Sequence, residues 1–182
     1  MTVLDARRLE AGADASEVPL AMTEDEFRAF YDRTSRTLWA YLSRISGNRQ
    51  TAEDLLQEAY YRLLRAGATF ESDDHRRHYL YRIATNLVRD GRRGGRLAID
   101  AAADPAGLAT AEPVADAERR ADVRRAFGRL KPRERALLWL AYANGSSHTE
   151  IASVLGLRTG SIKLLLFRAR RRLARMLEGQ RP

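Results

Sequence analysis

The chain contains no cysteine, which excludes disulfide bonds and thiolate metal sites and suits a reducing compartment. Lysine is almost missing too: Lys131 and Lys163 are the only two among 32 basic residues. No apolar run approaches the roughly 20 residues of a bilayer-spanning helix. The opening stretch MTVLDARRLEAGADASE lacks the apolar centre of a secretion signal. No glycine-rich loop that could cradle a phosphate is present, and no alternating strand pattern or internal repeat occurs. These absences predict a soluble, cytoplasmic chain, and no enzymatic activity is expected.

What is present is hydrophobic content of 45% in 182 residues, enough for one ordinary domain or two small ones. The net charge of +8 is unevenly spread. Residues 1–93 hold 15 Arg against 15 Asp and Glu, residues 94–118 are net −4, and residues 119–182 are net +12. Such an excess on a C-terminal unit of this size favours contacts with phosphate.

The periodicity is helical throughout, and the fold class expected is all-α. Residues 1–22, rich in Ala and Asp without a period, read as a disordered arm. Thr23 and Glu26 form a capping box that opens a helix running to about Ser46, where Gly47 and Asn48 break it. Helices are expected over about 51–66 and 75–93, completing a first domain over 23–94. Residues 95–117 carry glycine, proline and acidic residues without an amphipathic pattern and read as a flexible linker. A second domain over 118–182 contains helical patterns near 117–129, 133–143, 148–155 and 160–178. Pro132 suits a helix start, and Ser147 with Glu150 makes another capping box.

Within the second domain, His148 to Phe167 reads as a helix-turn-helix. Ala152 is small where the helices cross, and Gly156 supplies a turn conformation that a side chain resists. Ile151, Leu155, Leu157, Ile162 and Leu166 form the shared core. The second helix continues into Arg168, Arg170, Arg171, Arg172 and Arg175, the pattern of a helix seated in a major groove with arginines on flanking phosphates.

The first domain carries two faces of opposite sign. Glu53, Asp54, Gln57 and Glu58 lie opposite the apolar stripe of the second helix. The third helix bears Arg76, Arg77, Arg82, Arg89, Arg92 and Arg93, interleaved with Tyr79 and Tyr81 and preceded by Phe70. Basic residues mixed with aromatics suit single-stranded nucleic acid, because each base offers a stacking face and each phosphate a charge. His75 and His78 near Asp73 and Asp74 have a spacing that a metal could use, but capping and solvated surface explain them better, and no metal or cofactor is expected.

Three segments together resemble a bacterial RNA polymerase sigma factor of the sigma-70 family, in its short extracytoplasmic-function (ECF) class. They are AEDLLQEAYYRLLR (52–65), YLYRIATNLVRDGRR (79–93) and LKPRERALLWLAYANGSSHTEIASVLGLRTGSIKLLLFRARRRL (130–173). The resemblance implies that Asp54, Leu55, Gln57, Glu58 and Tyr60 dock on the clamp helices of the polymerase β′ subunit. It implies a minus-ten face that reads and melts promoter DNA, made of Arg76, Arg77, Tyr79, Arg82, Asn86, Arg89, Asp90, Arg92 and Arg93. The loop Gly67–Asp74 stands where the family captures a flipped base. Arg158, Thr159, Ser161, Lys163, Arg168 and Arg171 match the positions that contact the minus-thirty-five element. Core polymerase, including its β flap, and promoter DNA are the implied partners, with an anti-sigma factor or activator as a further one.

The chain departs from the family in two places. The family commonly has Trp where Tyr79 stands. Its recognition helix usually reads Thr-Val-Lys-Ser-Arg-Leu-His-Arg-Ala-Arg, whereas this chain has Leu164, Leu165 and Phe167 at polar positions. Leu164 and Phe167 share a helix face and are expected to point outward as a patch for a protein partner. The rival functional reading is a stand-alone helix-turn-helix repressor or activator, which leaves the 52–65 motif without a role.

Overall fold

The computed structural model describes residues 22–95 and 114–179, the side chains of 114–118 excepted. The arm expected over 1–22 and the linker expected over 95–117 therefore lie outside the described residues, apart from Met22, Gly95 and the opening of one helix. Seven helices are described: α1 (Glu24–Ser46), α2 (Arg49–Arg65), α3 (Asp73–Arg93), α4 (Val114–Gly128), α5 (Pro132–Tyr142), α6 (His148–Leu155) and α7 (Thr159–Glu178). The all-α expectation holds.

Helix ends follow the local chemistry. Thr23 and Glu26 form the capping box at the start of α1, and each such cap stabilises its helix by about 1 kcal/mol. Gly47 ends α1 at φ 81°, and Asn48 immediately caps α2 by accepting from the Thr51 amide at 2.9 Å. Ser72 caps α3 by accepting from the His75 amide at 3.1 Å. Helices α2 and α3 thus begin two residues before the positions expected from apolar spacing. Helix α4 begins at Val114, inside the stretch read as linker, because alanine-rich sequence has helical propensity without an apolar stripe to announce it.

Helices α1, α2 and α3 pack as one bundle around Phe30, Leu38, Tyr41, Leu42, Leu63, Leu80 and Tyr81, all essentially inaccessible. Helices α4 to α7 form a second bundle around Leu137, Leu140, Ile151, Val154 and Ile162. The two bundles are not independent beads on a string. Helix α1 packs on α5 and α3 packs on α6, so the apolar core runs continuously from Met22 to Ala169. Two amphipathic bundles with residual apolar surface gain by covering each other, a term that the spacing within either half does not reveal.

Two buried tyrosine hydroxyls in the first bundle, those of Tyr60 and Tyr41, are satisfied in a directed way, while the Tyr81 hydroxyl has no hydrogen-bond partner among the described residues. Thr34 Oγ1 donates to the Phe30 carbonyl at 2.6 Å, so the Tyr60 hydroxyl 2.7 Å away donates to Thr34. Thr85 Oγ1 donates to the Tyr81 carbonyl, so Tyr41, 2.8 Å from it, donates to Thr85. Burial pushes both phenols well above the ordinary tyrosine range and keeps them protonated as donors.

Candidate polymerase and promoter interfaces

Helix α2 shows its polar face to solvent. Asp54 and Gln57 are exposed, and Glu53 and Glu58 are half-exposed. Arg49 pairs with Glu53 at 3.1 Å and Arg62 pairs with Glu58 at 2.6 Å, each one turn away. Gln50 donates to Asp54 at 3.4 Å. These exposed pairs are worth little to stability, and an incoming cationic partner can replace them. Leu55 is half-buried at the edge of this face. Tyr60 is different. It is only 3% exposed, ringed by Phe27, Phe30 and Tyr31 and bonded to Thr34. It belongs to the core that holds α2 on α1 and lies beneath the exposed polar face rather than on it, where its place in the expected docking set would put it.

The third helix divides into anchored and free positions. Phe70, on the loop before it, packs against His75 and Tyr79 with ring centroids 5.8 and 5.3 Å away. Arg76 lies over both Phe30 and Phe70, at 5.6 and 5.5 Å, and pairs with Asp73 at 3.1 Å. Its side chain is 18% exposed, held between two rings and beside Asp73, so it braces the loop and is less open than its charge alone leads one to expect. The loop itself ends at Ser72, since Asp73 and Asp74 already belong to α3. Arg82 stacks on Tyr79 at 4.7 Å. Arg82, Arg89, Asp90 and Arg93 are exposed and Asn86 is half-buried. Arg92 is half-buried and donates to the Ile45 carbonyl.

Part of this face meets the second bundle. Arg77 pairs with Asp74 at 3.1 Å, and His78 Nε2 lies 3.4 Å from Glu150 of α6 without hydrogen-bond geometry. Burial would raise the Glu150 carboxyl, but bonds from Ser147 and the charges of His78 and Arg77 win and hold it below the usual range. The sequence around Glu150 announces only its cap. Its second role across the bundles carries no local signal, because the partners are more than 70 residues apart.

The helix-turn-helix is as compact as its pattern implies. Ile151 and Ile162 are fully buried, Ala152 is 3% exposed at the crossing, and Gly156 sits at φ 64°. Arg158 at the N-cap of α7, and Thr159, Ser161, Lys163, Arg168 and Arg171 along it, are all exposed. Leu164 and Phe167 are 50% and 47% exposed, with the Arg171 guanidinium 5.8 Å above the Phe167 ring. Leu165 turns partly into the core.

An acidic helix face, a basic aromatic face behind a braced loop, and a separate exposed recognition helix define a transcription initiation factor. The family model for sigma-70 region 2 matches residues 30–97, and that for sigma-70 region 4 matches residues 120–173. The chain is 33% identical over 176 residues to the ECF RNA polymerase sigma factor SigL of Mycobacterium tuberculosis, covering 92% of this chain and 94% of SigL. It is 32% identical over 160 residues to BldN of Streptomyces coelicolor, covering 84% of this chain and 61% of BldN. Among solved structures, the sigma factor RpoE of Bartonella quintana, in complex with the anti-sigma factor NepR, shares the fold at a TM-score of 0.68. That match has 23% identity and covers 86% of this chain and 99% of RpoE. The chain belongs to the ECF RNA polymerase sigma factors, proteins that direct core polymerase to promoters and are not enzymes. A match to both regions on one chain leaves the stand-alone repressor without support. Among the described residues no helix is long and apolar enough to cross a membrane.

Proposed function

We propose that the chain grips a promoter at two points once core polymerase is bound. The exposed polar face of α2, with Asp54, Gln57 and Glu58 beside Leu55, docks on the β′ clamp. The exposed side of α3 takes the melted minus-ten strand through Asn86, Arg89 and Arg93, with Arg82 and Tyr79 as a stacked platform. The loop 67–72 receives an extruded base, and Arg76 with Phe70 keeps that loop open. Helix α7 enters the minus-thirty-five major groove, with the β flap supporting the second bundle, and the cytoplasm is where such a factor works.

The observation that carries this reading is that an acidic face, a basic aromatic face and a basic helix are borne on three different helices, each with exposed side chains to offer. The His78–Glu150 approach implies one mechanical step: the bundles must part before α3 and α7 reach elements far apart along the duplex. An anti-sigma factor would act by opposing that step, as suits a family in which relatives such as RpoE are held by one. Leu164 and Phe167 favour thymine methyl groups, because apolar side chains cannot make the bidentate pairs that read guanine or adenine. Pull-down of core polymerase followed by run-off transcription tests the whole reading. A chain that forms no holoenzyme, or a holoenzyme that starts no transcript at any promoter of its genome, overturns it.

A further inference from the structure

Where the two bundles meet, α1, α4 and α5 line a half-open cavity of about 220 Å³. Its walls are mainly apolar, from Val123, Phe127 and Trp139, and three guanidinium groups border it, from Arg44, Arg124 and Arg135. Among the described residues no carboxylate lines it. Arg44 stacks on the Trp139 ring at 4.4 Å. Arg135 is 5% exposed, and its Nε has no hydrogen-bond partner among the described residues, while its Nη1 donates to the Gly128 carbonyl at a long 3.4 Å. None of the three has an ion-pair partner among the described residues. A buried guanidinium without a counter-charge is costly. Burial lowers the affinity of Arg44 and Arg135 for their protons, and neighbouring arginines, Arg124 and Arg92 respectively, add to it.

We propose that this cavity is a binding site for a small organic carboxylate, one ring or short branched chain bearing a single carboxyl group. Charge complementarity sets the anion, and the walls set the apolar body. Its volume falls below the roughly 300–1,000 Å³ of drug-sized sites, so little more than one ring fits. A planar carboxylate matches the fork of a guanidinium in two parallel bonds, which the tetrahedral phosphate of a nucleic acid backbone could do only without using the apolar walls. Because the walls come from both bundles, a bound ligand favours their packed arrangement. By linkage it weakens promoter engagement by the same factor that promoter engagement weakens the ligand.

The test uses the full chain with Trp39→Phe, which leaves Trp139 as the single tryptophan. Titration with phenylacetate should change Trp139 emission saturably and raise the melting temperature. Phenethylamine and inorganic phosphate at equal ionic strength should do neither. Arg135→Met should weaken the response about tenfold or more. Arg124→Gln at the exposed rim, a variant with no fold to endanger, should weaken it by a smaller factor. An equal response to phosphate, a response only to an acidic peptide, or a phenylacetate response unchanged in both variants overturns the proposal. Neither polymerase nor DNA enters the measurement, so its failure leaves the promoter reading standing.

Discussion

The first bundle is cored by aromatic rings, and the second has none among its fully buried residues. Phe30, Tyr41, Tyr60 and Tyr81 fill α1–α3, whereas Leu, Ile, Val and Ala fill α4–α7. The tyrosines bring hydroxyls, and these tie helix to helix: α2 to α1 through Tyr60 and Thr34, and α1 to α3 through Tyr41 and Thr85. Such bonds fix angles as well as distances. A bundle that must hold an acidic face, a loop and a basic face in one relation gains from directional ties. A bundle that presents a single helix needs only close packing and good caps, which Ser147, Gly156 and aliphatic side chains supply.

The sharpest way to break this comparison is at the acidic face. Asp54→Arg with Glu58→Arg should lower affinity for core polymerase by about a hundredfold, through two reversed charges at an interface. Helical content and binding of duplex by the second bundle should stay as they were, as circular dichroism and a gel-shift assay would report. Next in size, Asn86→Ala with Arg89→Ala should slow open-complex formation about tenfold while holoenzyme forms normally. Permanganate reactivity of minus-ten thymines measures that difference directly. Tyr60→Phe removes one directional tie and should cost about 1 kcal/mol in chemical denaturation, with polymerase affinity unchanged once the protein is folded. If affinity falls instead, Tyr60 docks after all.

Smaller effects are expected from the recognition helix. Leu164→Ser with Phe167→His should change stability by less than about 0.5 kcal/mol, since both side chains are already half exposed and neither belongs to the buried core. Promoter preference, measured by selection from a randomised upstream element, should move away from thymine. Loss of cooperative unfolding in this variant would make the pair part of the core. The smallest effect concerns pH. Glu150 has a depressed pKa in the fold, so its contribution is present above the ordinary carboxylate value of 4.5 and is lost as the pH falls through the folded value. Screened by solvent, it should be worth less than about 0.5 kcal/mol. Glu150→Gln should flatten that part of the acid limb.

Much of this was legible in the sequence. The capping boxes at Thr23 and Ser147, the turn at Gly156 and the outward set of Leu164 and Phe167 follow from spacing and conformational preference alone, and α6 begins and ends where its pattern does. The caps Asn48 and Ser72 were passed over because apolar spacing begins only later. Tyr60 and Arg76 read as surface groups by type, yet one is bonded inside and the other lies between two phenyl rings. Their surroundings come from α1 and the loop, distant in the chain. The joining of the bundles was least legible, because residual apolar surface after each bundle has formed is a property of three dimensions.

That junction makes the molecule sensitive to ionic strength in an unusual sense. A second cavity beside it, lined by Arg89, Arg92 and Arg133, repeats the arginine crowding of the first. Among the described residues, of the six guanidiniums only Arg89 has a carboxylate within ion-pair distance, Asp90 at 3.7 Å. Added salt screens their mutual repulsion and favours the packed molecule, while it also weakens every contact to DNA phosphate. The two effects have the same sign. Promoter occupancy should therefore fall with salt more steeply than the number of phosphates touched would dictate, and the excess slope is a direct reading of the repulsion stored between the halves.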